Sequence, residues 1–137
     1  EISSVFHGRD IFAPVTAHLA AGVPLEALGT PIHDPLRLAY PHPRAIPNGL
    51  QAVIIHVDHF GNLSSSIRRG DLPDRSGLTI RLGGVEICGL VDTFGERPPG
   101  ELVALYGSTG SLIVAQVNGS AARALGLGSG AAIEVVW

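Results

Sequence analysis

Five prolines between residues 30 and 49 (Pro31, Pro35, Pro41, Pro43 and Pro47) divide this chain. Each lacks an N–H and fixes its own φ, so together they forbid a regular helix across the stretch. Residues 31–49 read as a linker, or an extended crossing, between two structural units. Before it the periodicity is helical. Ile11, Val15, His18 and Leu19 follow the i, i+4, i+7, i+8 spacing of one buried stripe. Asp10 is placed to cap that helix, and Pro14 falls in the first turn, where a missing N–H costs nothing. Gly22, with Pro24 close behind, ends it. A short helical turn from Pro24 to Leu28 stops at Gly29.

After the prolines the pattern changes to strands. Ala52 to Val57 is a β-branched run of the kind buried on both faces. Leu78 to Leu82 alternates, and Gly83-Gly84 predicts a two-residue hairpin turn into Val85 to Cys88. Leu102 to Tyr106 and Leu112 to Val117 are two further strands, joined through Gly107 to Gly110. Ser120 to Leu127 reads as a short helix, and Ile133 to Trp137 as a closing strand. Short, regularly punctuated strands predict a mainly β fold, a small antiparallel β-barrel or sandwich over residues 50–137.

Composition bounds the function. Hydrophobic residues make up 45% and charged residues 15%, which demands a packed core. The net charge of −3 argues against nonspecific nucleic-acid or anionic-membrane binding, which needs clustered positive charge. No apolar run approaches the ~20 residues that span a bilayer. The single cysteine, Cys88, excludes an internal disulfide and a Cys-based zinc cage. A cytoplasmic setting is the expectation. The chain has no Met and opens on Glu1, and its early helix does not fit inside the barrel. Residues 1–30 are therefore expected to be the end of a preceding domain.

Four clusters can carry chemistry. The first is Phe6-His7-Gly8-Arg9-Asp10, at a helix start, where free N–H groups gather. His7 can act there as acid, base or donor, or simply sit in a loop. The second is His56-Val57-Asp58-His59-Phe60-Gly61-Asn62. Polar groups that close a buried strand are costly unless paired or used. Asp58 can hold an amine or hydroxyl, and Phe60 can stack on a base. Asn62 has the donor and acceptor that read an adenine edge. The same residues also suit an Asx-type turn. A metal set of His56, Asp58 and His59 is split by strand alternation, and no metal is expected. The third is Gly107-Ser108-Thr109-Gly110-Ser111, a backbone nest for a carboxylate or phosphate, or a plain hairpin turn. The fourth is Thr93-Phe94-Gly95, where Phe94 can cover a flat ligand or anchor its loop.

Taken in order, FHGRDIFAPVTAHLAAG (6–22), VDHFGNLSSSI (57–67) and GSTGSLIVAQVNGSAA (107–122) resemble the S-adenosyl-L-methionine (SAM) hydroxide adenosyltransferases. These adenosine-forming SAM hydrolases are related to the fluorinating and chlorinating enzymes. The resemblance implies an N-terminal α/β domain before a C-terminal β-barrel, assembly as a homotrimer, and a site shared between subunits. On that pattern residues 1–30 are the tail of a truncated N-terminal α/β domain, 31–49 the linker and 50–137 the barrel. The missing domain, or a separate chain carrying it, is then an expected partner. The implied reaction is attack of water or hydroxide on the ribose 5′ carbon, releasing L-methionine and leaving adenosine. SAM is the substrate, and no cofactor is implied.

Residue by residue, His7 matches the family's catalytic His. Its Asp and Arg partners have no counterpart in this chain. Asp58 matches the residue that holds the methionine amine, and Phe60 and Asn62 match adenine-side contacts. Phe94 matches an adenine-pocket position more loosely. Ser108 matches a residue that holds the methionine carboxylate. Ser65-Ser66 depart from a common Thr-Asn, and Thr109 stands where fluorinating members carry Arg. Halogenating members carry Tyr where His7 stands, which favours hydrolysis. A chlorinase-like SAM-dependent halogenase and a non-catalytic nucleoside-binding barrel remain alternatives, as does an assembly module whose motifs are only turns and caps.

Overall fold

The computed structural model describes residues 1–73 and 77–137. They divide into two units, Glu1–Leu38 and Ala39–Trp137. In the first, a π-helical turn at Gly8–Phe12 runs directly into α1 (Ala13–Ala20), with Pro14 in its first turn. His7, not Asp10, stands at the N-cap position of this helical run. Asp10 lies one turn inside, because Gly8 and Arg9 already adopt helical geometry. Its carboxylate reaches back to accept the Ser3 N–H at 2.8 Å and the Arg9 Nε–H at 2.5 Å. The end of α1 follows the expected chemistry. Gly22 takes φ +84°, and the Val23 N–H donates to the His18 carbonyl at 3.0 Å. The expected stripe is not buried. Ile11 and Val15 are half-buried, His18 and Leu19 are exposed, and no residue of α1 is fully covered. A unit of 38 residues has too few apolar partners to cover a helix face.

The second unit is an antiparallel, nearly closed barrel. Its strands are β1 (Arg44–Ile46), β2 (Gly49–Val57), β3 (Leu63–Arg68), β4 (Thr79–Leu82) and β5 (Val85–Cys88), then β6 (Leu102–Tyr106) and β7 (Ser111–Gln116). A short helix, α2 (Ala121–Leu125), precedes β8 (Ala132–Val136). The sheet order is β5-β4-β8-β2-β3-β7-β6, with β1 paired to β2. The edges β5 and β6 approach a seam, where the Val91 N–H donates to the Ala104 carbonyl at 2.9 Å. Gly83 and Gly84 both take positive φ (56° and 80°), so the predicted tight hairpin forms.

β2 makes the corner of the barrel. Gly49 to Val53 pair with β8, and Ile54 to Val57 pair with β3. Between Ile54 and His56 the register shifts, leaving Ile55 as the extra residue of a β-bulge. The bulge bends the strand and lets it serve both halves. Inside lies one core of Ile54, Leu63, Ile67, Ile80, Leu112, Val114, Ile133 and Val135, all at most 1% exposed. A second, smaller cluster of Val91, Val103, Leu105, Ala115 and Val117 covers the opposite face of β6 and β7. That hairpin is therefore buried on both faces.

Two strands escape the sequence pattern. β1 lies within the proline-rich stretch, where Arg44 to Ile46 are the three residues between Pro43 and Pro47. β3 contains Ser64-Ser65-Ser66, a run with low strand propensity. Tertiary pairing overrides that preference. The buried Ser65 hydroxyl donates to the Leu112 carbonyl at 2.8 Å, so its polarity is satisfied inside the barrel. Among the described residues, no helix is long and apolar enough to cross a membrane.

Gly61 locks the β2–β3 turn to α2. Its carbonyl accepts the Ala122 N–H at 2.9 Å, its φ is +86°, and a Cβ there would lie 2.8 Å from the Ser120 Cβ. Gly61→Ala is expected to destabilise the barrel by about 2 kcal/mol or more, through left-handed strain plus the clash. Urea denaturation checks this; an unchanged midpoint would contradict the interlock.

Candidate functional site

The register of four strands lays the floor of a cavity. His56 of β2 pairs with Ser64 of β3, Ser64 with Ile113 of β7, and Ile113 with Leu105 of β6. The four residues form one row across the sheet, and all four line a cavity of about 640 Å³. Strand alternation turns this face away from the main core, whose Leu112 and Val114 flank Ile113 on the other side. Three loops wall the row. Asp58, Phe60 and Asn62 come from the β2–β3 turn, Asp92 to Phe94 from the segment before β6, and Gly107 to Thr109 from the β6–β7 hairpin. The volume suits a nucleoside-sized ligand.

All five binding candidates, Asp58, Phe60, Asn62, Phe94 and Ser108, line this cavity. His7 belongs to the first unit and stands at the start of the helical run there. Asp10, three residues on, closes a loop around it through the Ser3 N–H.

Asp58 organises its own turn. Its Oδ1 accepts the N–H groups of Phe60 and Asn62, each at 2.9 Å, and its Oδ2 accepts the Asn62 side-chain amide at 2.8 Å. The Asx-type turn is therefore formed, and it leaves capacity for ligand. A carboxylate has about four acceptor positions, and three are taken. Asn62 keeps its carbonyl oxygen and one amide hydrogen, the pair that an adenine edge requires. Burial pushes the Asp58 carboxyl up, but the hydrogen bonds from Asn62 and the Phe60 N–H, with the Gly61 N–H close by on the Asp58 backbone carbonyl, outweigh it and hold the group below the usual carboxylate range.

The aromatic candidates stand open. Phe60 is 75% exposed and Phe94 is 43% exposed. Neither serves as a buried loop anchor, and both offer a face to a flat ligand at the cavity mouth. The loop under Phe94 is held by Glu96, whose Oε1 accepts the N–H groups of Asp92 and Thr93 at 2.7 Å each. Among the described residues, the two carboxylates lining the cavity, Asp58 and Asp92, are joined in its lining by no lysine or arginine. Among the described residues, no three His, Cys, Asp or Glu side chains gather to hold a metal.

Asp92, Leu105 and Tyr106 line the cavity but lie outside the motifs, and Ile113 lies within the third motif without being singled out there. Leu105 and Ile113 belong to runs that read as ordinary core. Only their cross-strand partners show that they face a ligand site. His56 and Thr93 lay inside the recognised clusters, and the structure gives both a place in the wall.

Residues 52–134 match the family model described as the SAM hydroxide adenosyltransferase C-terminal domain, and residues 1–29 match that of the N-terminal domain. The chain belongs to the SAM hydroxide adenosyltransferase family. A Thermus thermophilus protein named (R)-S-adenosyl-L-methionine hydrolase is 39% identical over 97% of this chain and 49% of its own length. A Salinispora tropica protein of the same name is 39% identical over 98% of this chain and 52% of its own length. A protein named fluorinase from an Actinoplanes species is 34% identical over 98% of this chain and 49% of its own. A crystal structure of an uncharacterized conserved protein from Thermotoga maritima superposes with a TM-score of 0.70, at 32% identity. It covers all of this chain and 54% of that one. The chain spans about half the length of the curated relatives it matches.

For this family member, the lowered Asp58 carboxyl has a pH consequence. A carboxylate whose folded pKa lies below its unfolded value stabilises the fold above the unfolded pKa, near 4. That contribution disappears as pH falls through the folded value. Asp58→Asn is expected to flatten the loss of stability below about pH 4. Denaturation midpoints between pH 7 and pH 2.5 check this, and parallel acid limbs for both proteins would refute it.

Proposed function

We propose that this chain forms part of an enzyme that cleaves SAM to adenosine and L-methionine. Water or hydroxide attacks the ribose 5′ carbon in line with the departing sulfonium sulfur. The sulfonium is already a good leaving group, so the protein's task is to orient nucleophile and substrate. His7 positions the nucleophile. Asp58 takes the methionine ammonium at its remaining acceptor position, and Ser108 takes the carboxylate. Asn62 reads the adenine edge, while Phe60 and Phe94 stack on or cover the base. No cofactor takes part.

The observation that carries this reading is that five candidate residues, from three separate segments of the sequence, line one cavity of nucleoside size. The relatives named (R)-S-adenosyl-L-methionine hydrolase support the choice of substrate. The fluorinase relative supports a second reading, halide attack at the same carbon. His7 favours water, because an imidazole can accept and orient the proton of a water nucleophile, and a halide has none to give. We further propose that the protein acts in the cytoplasm as a homotrimer. The Asp and Arg partners of His7 would come from N-terminal-domain residues outside this sequence, on the same or a separate chain.

Two measurements test the proposal. Calorimetric titration with adenosine is expected to show saturable binding that Asn62→Ala weakens about tenfold and His7→Ala leaves nearly unaltered. Mass spectrometry after incubation with SAM and chloride, with the N-terminal domain supplied, is expected to show adenosine and methionine. His7→Ala should slow their release by about a hundredfold or more. A halogenated adenosine would replace hydrolysis by halide transfer. Absence of adenosine binding would remove the nucleoside site altogether.

A further inference from the structure

The hairpin loop that carries Ser108 is tied down by a residue outside the family motifs. Gly107 to Gly110 form a β-turn, closed by the Gly110 N–H donating to the Gly107 carbonyl at 2.9 Å. The Gly107 N–H donates to the Ser111 carbonyl at 2.9 Å, and Gly110 takes φ +78°. This accounts for the N–H groups at both ends of the turn. The two between them, on Ser108 and Thr109, have no acceptor among the described residues. Both are free to donate to an oxyanion at the cavity wall.

Arg68, the last residue of β3, braces this turn from the neighbouring strand. Its Nη1 donates to the Thr109 carbonyl at 2.8 Å, and the next residue's backbone N–H, on Arg69, donates to the Gly110 carbonyl at 3.0 Å. The Arg68 N–H is itself held by Asp71 Oδ2 at 2.6 Å, which fixes where the strand ends. The Arg69 guanidinium lies over the ring of Tyr106, another residue of the cavity wall, at 4.2 Å and makes no side-chain hydrogen bond to this turn. Among the described residues, Arg68 is the cation whose side chain is hydrogen-bonded to this loop. A guanidinium carries five N–H donors, and the Thr109 carbonyl uses one nitrogen of the fork. The cavity needs that charge, because its two lining carboxylates, Asp58 and Asp92, repel an anion.

We infer that Arg68 is a specificity-determining residue. It holds the Ser108–Thr109 turn in shape and supplies the positive charge that lets the cavity accept a carboxylate-bearing nucleoside thioether or sulfonium. This inference rests on the proposed SAM site and adds the residue that selects for the amino-acid head group. A purely structural brace would affect every ligand alike. A charge held beside the carboxylate's turn acts chiefly on ligands that carry one.

The test uses two thioether probes that share the adenosine part. S-adenosyl-L-homocysteine carries the amino-acid head group, and 5′-methylthioadenosine lacks it. Calorimetric titration of the wild-type chain, Arg68→Gln and Arg68→Lys gives the ratio of the two dissociation constants. Arg68→Gln is expected to weaken S-adenosyl-L-homocysteine about fivefold and 5′-methylthioadenosine less than twofold, the scale of a solvent-exposed ion pair. Arg68→Lys should fall between, because it keeps the charge and loses the fork. Equal weakening of both probes, or of neither, would overturn the inference while leaving the nucleoside site standing. If the wild-type chain binds neither probe, the proposed function falls, and this inference with it.

Discussion

β2 is the strand on which the rest of the barrel depends. Its first half is hydrogen-bonded to β1 and β8, its second half to β3. One extra residue, Ile55, separates the two halves. Without that bulge the strand would continue flat, and the β3-β7-β6 ribbon could not fold back toward β5 and β4. The bulge also re-aims the side chains beyond it. His56 comes to face the ligand cavity while Ile54, two residues earlier, stays in the core. This bulge, together with a second register shift between Ser64 and Arg68 in the β3–β7 ladder, shapes both the barrel and the site, in keeping with the place of bulges beside functional surfaces.

The cavity lies outside the core, on the far face of strands whose near face is fully packed. That arrangement separates stability from binding. Ile113 and Leu105 can face a ligand because Leu112, Val114 and Ala104 secure the same strands from behind. The polar wall is held with equal economy. Asp58 accepts three hydrogen bonds from its own turn, which keeps its carboxylate ionised and its partner Asn62 oriented before any ligand arrives. A preorganised polar group loses little on binding, since its ordering has already occurred during folding. Gly61 then couples this turn to α2 through the Ala122 N–H, so the wall moves only if the helix does.

Local chemistry was legible in the amino-acid sequence wherever it depended on near neighbours. Gly83-Gly84 made a tight hairpin, and the short helix expected after Ser120 formed, although it stops at Gly126 (φ +66°) and not at Leu127, because Gly126 turns left-handed there. Asp58, Phe60, Asn62, Phe94 and Ser108 were legible as candidates, because polar and aromatic residues beside glycines in loops seldom serve a core. β3 was not legible, since its three serines disfavour a strand and only pairing to β2 and β7 makes it one. The position of Asp10 within the helical run was not legible either, because nothing in the residue types distinguishes a cap from the first turn.

The sequence by itself determined the β-rich second half, its turns, and the kinds of side chain available for binding. These follow from φ preferences and from hydrophobic alternation, which act over a few residues. Only the tertiary structure decided that His56, Ser64, Ile113 and Leu105 stand in one row, and that Arg68 reaches the Thr109 carbonyl 41 residues away. Cross-strand register sets both. A shift of one residue in any pairing would turn the row to the opposite face, and no local preference encodes that choice.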